Sequence, residues 1–310
     1  MTLQVNQMHP LFAAEMIGAD CANPTPELIH AVEAAMAEYG VLCIRGQDIT
    51  DAQQLAFARM FGPLELPGAY REGVKRRIAY GLYDASNLDM NGDIVGRDTL
   101  RAKFAKGNEL FHADSSFNDL PSKWSMLRSV IVAPERGETE TIDMRAVYDA
   151  LPQAMKDRIE GLEAEHSFFH SRQKGGAPMD MEDARANNPL FPFMHAVQPM
   201  VRTSANGRKT LFVGAHAFAV VGMDQEEGGA LIEELLAFAS QPQFIYAHKW
   251  VAGDILFWDN RCTLHRGTEF DYERHKRDLR RANINESGED CHAIPAELQL
   301  QRVSGEKEDA

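Results

Sequence analysis

The chain has 310 residues, 44% of them hydrophobic and 25% charged, and 32 Lys and Arg against 46 Asp and Glu leave a net charge of −14. A field of that sign repels nucleic acid and anionic membrane, and no basic stripe offsets it, so an anionic substrate must be caught by a local cluster of arginines or lysines. No window approaches the roughly 18 consecutive apolar residues of a membrane span, no basic-then-apolar leader opens the chain, and Cys21, Cys43, Cys262 and Cys291 form no C-x-x-C pair, which together read as a cytoplasmic protein with reduced thiols.

Without a linker, repeat or low-complexity segment, residues 1–310 read as one domain. The first seventy residues look αβ. Thr25-Pro26 starts a helix whose apolar positions Leu28, Ile29, Val32, Ala35 and Met36 recur at helical spacing up to Gly40. Val41–Ile44 follows as a short buried strand. Thr50 and Gln53 form a capping box for a second helix, with Leu55, Ala58 and Phe61 on its apolar face, which Gly62-Pro63 ends. Residues 68–107 carry six glycines, many charges and little pattern, as expected of a functional loop.

Strand signals dominate from there. Residues 129–133 precede Pro134 as a strand, and 166–171, with two phenylalanines, read as another. Asn206-Gly207 between 197–203 and 209–214 is a hairpin signal. Residues 255–258 form a strand after the Gly253-Asp254 turn, and 281–284 a closing strand before a flexible tail at 288–310. Two helical windows interrupt them, 144–162, broken at Pro152, and 224–239. Many short strands with tight turns predict a mainly β fold, an antiparallel barrel or jelly roll with helical decoration. Strands do not alternate with regular helices, which disfavours a doubly wound parallel sheet.

The chemistry concentrates at His112-Ala113-Asp114. In extended chain, residues two apart share a face, so imidazole and carboxylate project together as two cis ligands for a metal. A second histidine would complete a 2-His-1-carboxylate triad with three sites open on Fe(II); the competing reading is a His-x-Asp that occurs by chance. Among the 11 histidines, His30, His275 and His292 sit in polar or charged windows, whereas His265 ends the segment 258–265 and precedes Arg274, Arg277, Arg280 and Arg281. Such a cluster is either a solvated basic strand or the seat of a carboxylate held by charge-assisted bonds. Arg277 and Arg281 are four apart and share one face, with Arg280 on the other, and two inward arginines require anionic ligands.

His112-x-Asp114, the distant His265 and an arginine 12 residues beyond it resemble the Fe(II)/2-oxoglutarate dioxygenases of the taurine and 2,4-dichlorophenoxyacetate dioxygenase family. The likeness includes Gly137-Glu-Thr139 with Asp143-Met-Arg-Ala-Val-Tyr148, and Trp258-Asp-Asn-Arg261, and runs from 41 to 281. It implies a double-stranded β-helix core, Fe(II) on His112, Asp114 and His265, O2 as co-reactant, and 2-oxoglutarate held by Thr139 and Arg277. It also places Arg281 at the acidic head of the substrate or the keto-acid end of 2-oxoglutarate, and Asn108 and Ser115 in the substrate pocket. Asn108 is equally a turn residue after Gly107, and His216 equally a core histidine or a pocket residue. Tyr70, Tyr80 and Tyr83 of the 68–107 loop are expected to cover the site.

The implied reaction is hydroxylation coupled to conversion of 2-oxoglutarate to succinate and CO2. A small anionic organic substrate is expected, with no nucleic-acid or membrane partner, and a homo-oligomer. The Met8–Phe12 and Gln53–Arg59 segments look closer to the phenoxyacetate branch, which implies an aryloxyalkanoate cleaved to a phenol and a keto acid or aldehyde. Taurine, an alkylsulfonate or an alkyl sulfate is the alternative. A different class, a non-catalytic or zinc-hydrolytic barrel, could use the same three ligands, but it needs neither an inward arginine pair nor a 2-oxoglutarate site.

Overall fold

Buried runs of apolar residues build the central strands of a large sheet, seen in a computed structural model that describes residues 2–67, 75–204 and 206–292. Val41–Ile44, buried at every position, pairs antiparallel with Ile255–Asp259, which is also buried throughout. Trp124–Ile131 lies between Ile255–Asp259 and Asp278–Ile284, again antiparallel. Gln4–Gln7 and Ala14–Ile17 extend one edge, and Leu64–Leu66 with Cys291–His292 extend the other. A second sheet sets Thr139–Asp143 between Ile245–His248 and Thr263–Gly267, and a third pairs Glu163–Ser167 with Ala217–Val220 and His195–Pro199. The result is the mainly β jelly-roll core with helical decoration.

Helices cover the sheets. Thr25 caps Pro26–Tyr39, and Gly40, at φ 69°, ends it in the left-handed conformation that glycine adopts without strain. Thr50 and Gln53 form the expected capping box on Asp51–Arg59. Both helices bury their apolar faces in one cluster with Met126, Phe257 and Ile284. Phe57 stands at its centre, edge-on to Phe61 at 5.2 Å and to Phe257 at 6.0 Å, so truncation to alanine should cost about 3–5 kcal/mol. Met144–Ala150 packs on the second sheet through Val147 near Ile142 and Leu264, and Gln225–Ala239 packs on Ala217–Val220 of the third sheet, with Leu231 and Leu235 in the same cluster.

The Asn206-Gly207 hairpin joins Val201–Thr203 to Lys209–Leu211, and Pro152 separates Met144–Ala150 from Gln153–Ile159, as the sequence implies. Three segments differ. The strand expected at 129–133 starts five residues earlier and ends at Ile131. The segment 166–171 is split: Glu163–Ser167 is a strand, and Ser167 then caps a helix, Phe168–Lys174, by accepting from the Phe169 N–H. Residues 75–107 are not patternless, because Tyr83–Asp84 pairs with Asp278–Ile284 and Thr99 caps Leu100–Ala105. Of the expected tail, Cys291–His292 pairs parallel with Leu64–Leu66; Tyr70 and residues from 293 on lie outside the described residues.

Candidate active site

His112 and His265 meet through a two-residue antiparallel bridge, His112 N–H to His265 carbonyl at 3.0 Å and the reverse at 2.9 Å. This pairing between the 112–114 segment and Thr263–Gly267 sets the two imidazoles 4.2 Å apart, centroid to centroid. Asp114 completes the group: Oδ1 is 3.9 Å from His112 Nε2, and Oδ2 is 3.6 Å from His265 Nε2. One donor atom from each of the three residues lies within 4.8 Å of the others, and all three residues are buried. His112 Nδ1 donates to the Leu110 carbonyl at 2.7 Å, which leaves the Nε2 lone pair facing the carboxylate. His265 Nδ1 has no partner, and its ring stacks obliquely on Trp258 at 4.3 Å.

The carboxylate is oriented from several sides. Ser125 Oγ donates to Asp114 Oδ2 at 2.6 Å, Arg281 Nη1 donates to Oδ1 at 2.7 Å, and the Asp114 N–H donates to Asn260 Oδ1 at 3.1 Å. Asn260 also takes the Trp258 indole N–H and donates to Ser125, which explains why Trp258-Asp-Asn-Arg261 accompanies the triad. Burial raises the Asp114 pKa, but Arg281, His265 and His112 outweigh it and hold the carboxyl well below its usual range. Desolvation keeps His112 neutral, pushed down to about 4 against the pull of Asp114, and lowers His265 well below its ordinary value. Two neutral imidazoles and an ionised carboxylate, facing one cavity, are the donor set that Fe(II) takes.

The cavity has a volume of about 960 Å³ and draws its wall from both the large and the second sheet, a size suited to a small-molecule site. Arg277 enters it just before the closing strand. Asn87, buried, accepts from the Arg277 N–H at 2.8 Å and donates to the Tyr272 and His275 carbonyls, which pins the backbone there. Among the described residues the guanidinium hydrogen-bonds only the Gly137 carbonyl, at 3.3 Å, and lies over the Phe270 ring, 5.7 Å from its centroid; burial pushes its pKa down to about 10. Two residues on, the Trp250 indole donates to Thr139 Oγ1 at 3.1 Å, which leaves the Thr139 hydroxyl proton free to donate. Arg280 points the other way, onto Asp51 and Asp278, and Arg274 is exposed beside Asp271. Lys276, next to Arg277, reaches outward to the Gly92 carbonyl.

The remaining expected residues also reach this wall, with different commitments. Ser115 is buried at φ 57° and donates to Glu65 at 2.6 Å; Asn108 Oδ1 accepts from Arg172 Nη1 at 2.9 Å. His216 is buried edge-on to His112 at 5.6 Å and to Phe117 at 4.9 Å. Tyr83 lines the cavity with its hydroxyl on Glu65, whereas Tyr80 bonds His292 away from it. Three contributors were missed: Glu65, which also accepts from Ser122 and Asn283; Arg172; and Phe168, which packs edge-on to Phe117 at 5.4 Å. A helical reading of 168–174 would have put Phe168 and Arg172 on one face, four residues apart.

A jelly roll with two histidines and a carboxylate buried in the wall of a cationic cavity defines the class, a non-haem iron dioxygenase that uses 2-oxoglutarate. The family described as "Taurine catabolism dioxygenase TauD, TfdA family" matches residues 4–283, and the chain belongs to it. It is 42% identical over 287 residues to the alpha-ketoglutarate-dependent 2,4-dichlorophenoxyacetate dioxygenase of Cupriavidus pinatubonensis, covering 91% of this chain and 97% of the relative. It is 36% identical over 242 residues to an (S)-phenoxypropionate/alpha-ketoglutarate-dioxygenase of Sphingobium herbicidovorans, covering 77% and 80%. The crystal structure of AAD-2 in complex with Mn(II) and N-oxalylglycine superposes with a TM-score of 0.81 at 39% identity, covering 91% of this chain and 97% of the other.

Proposed function

We propose that the protein cleaves an aryloxyalkanoate of the phenoxyacetate or phenoxypropionate type to a phenol and an oxo acid, with 2-oxoglutarate converted to succinate and CO2. The observation that carries this reading is the pairing, in one cavity, of uncompensated guanidinium charge with an aromatic and aliphatic wall of Phe117, Phe168, Leu127, Leu190 and Met194. Taurine is polar at both ends and has no use for such a wall, whereas an aryl ring buries in it. The 2,4-dichlorophenoxyacetate and phenoxypropionate relatives support the same class.

In this reading His112, Asp114 and His265 hold Fe(II), which when bound supplies the activation of O2 that the side chains cannot perform. Arg277 and Thr139 take the distal carboxylate of 2-oxoglutarate, the former through a charge-assisted pair and the latter through its free hydroxyl proton. N-oxalylglycine, bound in the AAD-2 crystals, has the same two carboxylates at the same spacing. Arg281 orients Asp114 and, with His216, borders the metal ligands where the organic substrate binds. Asn108 and Ser115 act as positioning residues, through Arg172 and Glu65. A homo-oligomer in the cytoplasm belongs to the same reading. Its supports are the apolar Val5 and Ile17, exposed on the edge strand of the large sheet and its neighbour, and the free thiols, two of them buried.

The test is a panel of phenoxyacetates, both phenoxypropionate enantiomers, taurine, an alkylsulfonate and an alkyl sulfate, each followed by succinate formation. An aryloxyalkanoate is expected to give the highest kcat/KM. A taurine or sulfate rate more than about tenfold higher, roughly 1.4 kcal/mol in transition-state binding, refutes the substrate class and leaves the 2-oxoglutarate chemistry standing.

A further inference from the structure

Among the arginines that line the cavity, Arg172, Arg277 and Arg281 are not exposed, and their charges are balanced differently. Arg281 is ion-paired with Asp114 at 2.7 Å. Arg277 hydrogen-bonds a single backbone carbonyl and lies over the Phe270 ring, and 2-oxoglutarate accounts for its charge. Arg172 remains. It is 8% exposed, its Nη1 donates to the Phe104 carbonyl at 2.8 Å and to Asn108 Oδ1 at 2.9 Å, and its buried Nε has no partner. All of its hydrogen-bond partners are neutral.

A buried, permanently charged guanidinium facing only neutral groups is costly unless an anion joins it. The surrounding packing rules out a wandering side chain. The guanidinium carbon lies 4.5 Å from the centroid of Phe168, and Gly107 packs so closely that a Cβ there would sit 2.6 Å from Nη1. From Phe168 the wall continues edge-on through Phe117 and His216 to His112. Arg172 is also near enough to Asp114 and Arg281 for their charges to interact. An aryloxyacetate carries its acid group on the very carbon that is oxidised, so its carboxylate must sit beside the metal ligands with the ring against an apolar wall. Arg172 and the Phe168–Phe117 wall supply both.

We infer that Arg172 receives the carboxylate of the organic substrate and is a determinant of the enzyme's preference for acids. The inference rests on the aryloxyalkanoate reading. Two reactants are anions, and of the three guanidiniums lining the cavity that are not exposed, Arg172 and Arg277 have no acidic partner among the described residues. Asn108 then orients Arg172 and does not itself bind substrate.

The experiment compares wild type, R172M and R172K, each with Fe(II) and 2-oxoglutarate, on phenoxyacetate and on its neutral counterpart phenoxyacetamide, with succinate as readout. In R172M the KM for phenoxyacetate is expected to rise at least about 30-fold, with the KM for 2-oxoglutarate and turnover of the amide nearly unchanged, so that the preference for acid over amide collapses. R172K, which keeps the charge but not the fork, should retain a reduced preference. An acid-to-amide ratio in R172M equal to that of wild type overturns the inference. If R172M is recovered unfolded, R172K decides alone: equal losses with acid and amide overturn the assignment. Wild type that is inactive on every aryloxyalkanoate overturns the substrate reading instead, and the same variants are then judged with whichever sulfonate or sulfate is turned over.

Discussion

Replacing Arg277 with methionine should move stability and cosubstrate affinity in opposite directions. The free protein holds this guanidinium against one carbonyl, and desolvation alone shifts its pKa from 12.5 to about 10. At about 1.36 kcal/mol per unit, that disfavours the charged side chain by at most about 3 kcal/mol, and water in the cavity screens most of it. Removing the charge should therefore leave the metal-loaded protein as stable as wild type or about 1 kcal/mol more stable, roughly 2 °C in Tm. Binding of 2-oxoglutarate should suffer instead. Losing one side of a buried charge pair costs about 2–5 kcal/mol, which at about 1.4 kcal/mol per decade is roughly a 30-fold to several-thousand-fold rise in Kd. Anaerobic calorimetry with Mn(II) measures the affinity, and thermal melts with and without 2-oxoglutarate measure the linked stabilisation, which the variant should largely lose. A Kd within threefold of wild type, or a fall of more than about 5 °C in the ligand-free Tm, would refute the reasoning and make Arg277 a structural residue.

His112→Ala, Asp114→Ala and His265→Ala should each fold and lose both bound iron and turnover; a variant that retains iron by elemental analysis removes that residue from the ligand set. Arg281→Leu strips Asp114, 5% exposed, of its cation, so the metal-free protein should lose about 3 kcal/mol and recover much of it on adding Mn(II); a Tm loss unaffected by Mn(II) argues against the pairing. His166, 1% exposed, is pushed down to about 3 by burial, with Arg202 adding to it, so a proton bound in the unfolded state below the ordinary value of 6.5 is absent from the folded one. Stability is thus lost as pH falls through 6.5 toward 3, and His166→Gln should flatten the difference between pH 7 and pH 5 in urea unfolding by about 2 kcal/mol.

The parts of the site legible in the sequence are those whose geometry is local. His112 and Asp114 share a face because extended chain has a period of two, and Arg277 and Arg281 line the cavity while Arg280 turns to Asp51. Gly40, Pro152 and Asn206-Gly207 punctuate the chain where the structure turns, since their backbone preferences act within a few residues. Arg172 escaped for a physical reason. Two adjacent phenylalanines after His166 favour a strand, but the Ser167 N–H bonds the His216 carbonyl and the Ser167 hydroxyl takes the Phe169 N–H, so the strand ends and a helix begins. That change turns Phe168 and Arg172 onto one face and into the cavity. Whether a guanidinium is compensated depends on what surrounds it in space, and Arg281 and Arg172 cannot be told apart on that score by spacing. The three-dimensional balance of charge separates the arginine paired with Asp114 from two that hydrogen-bond only neutral groups.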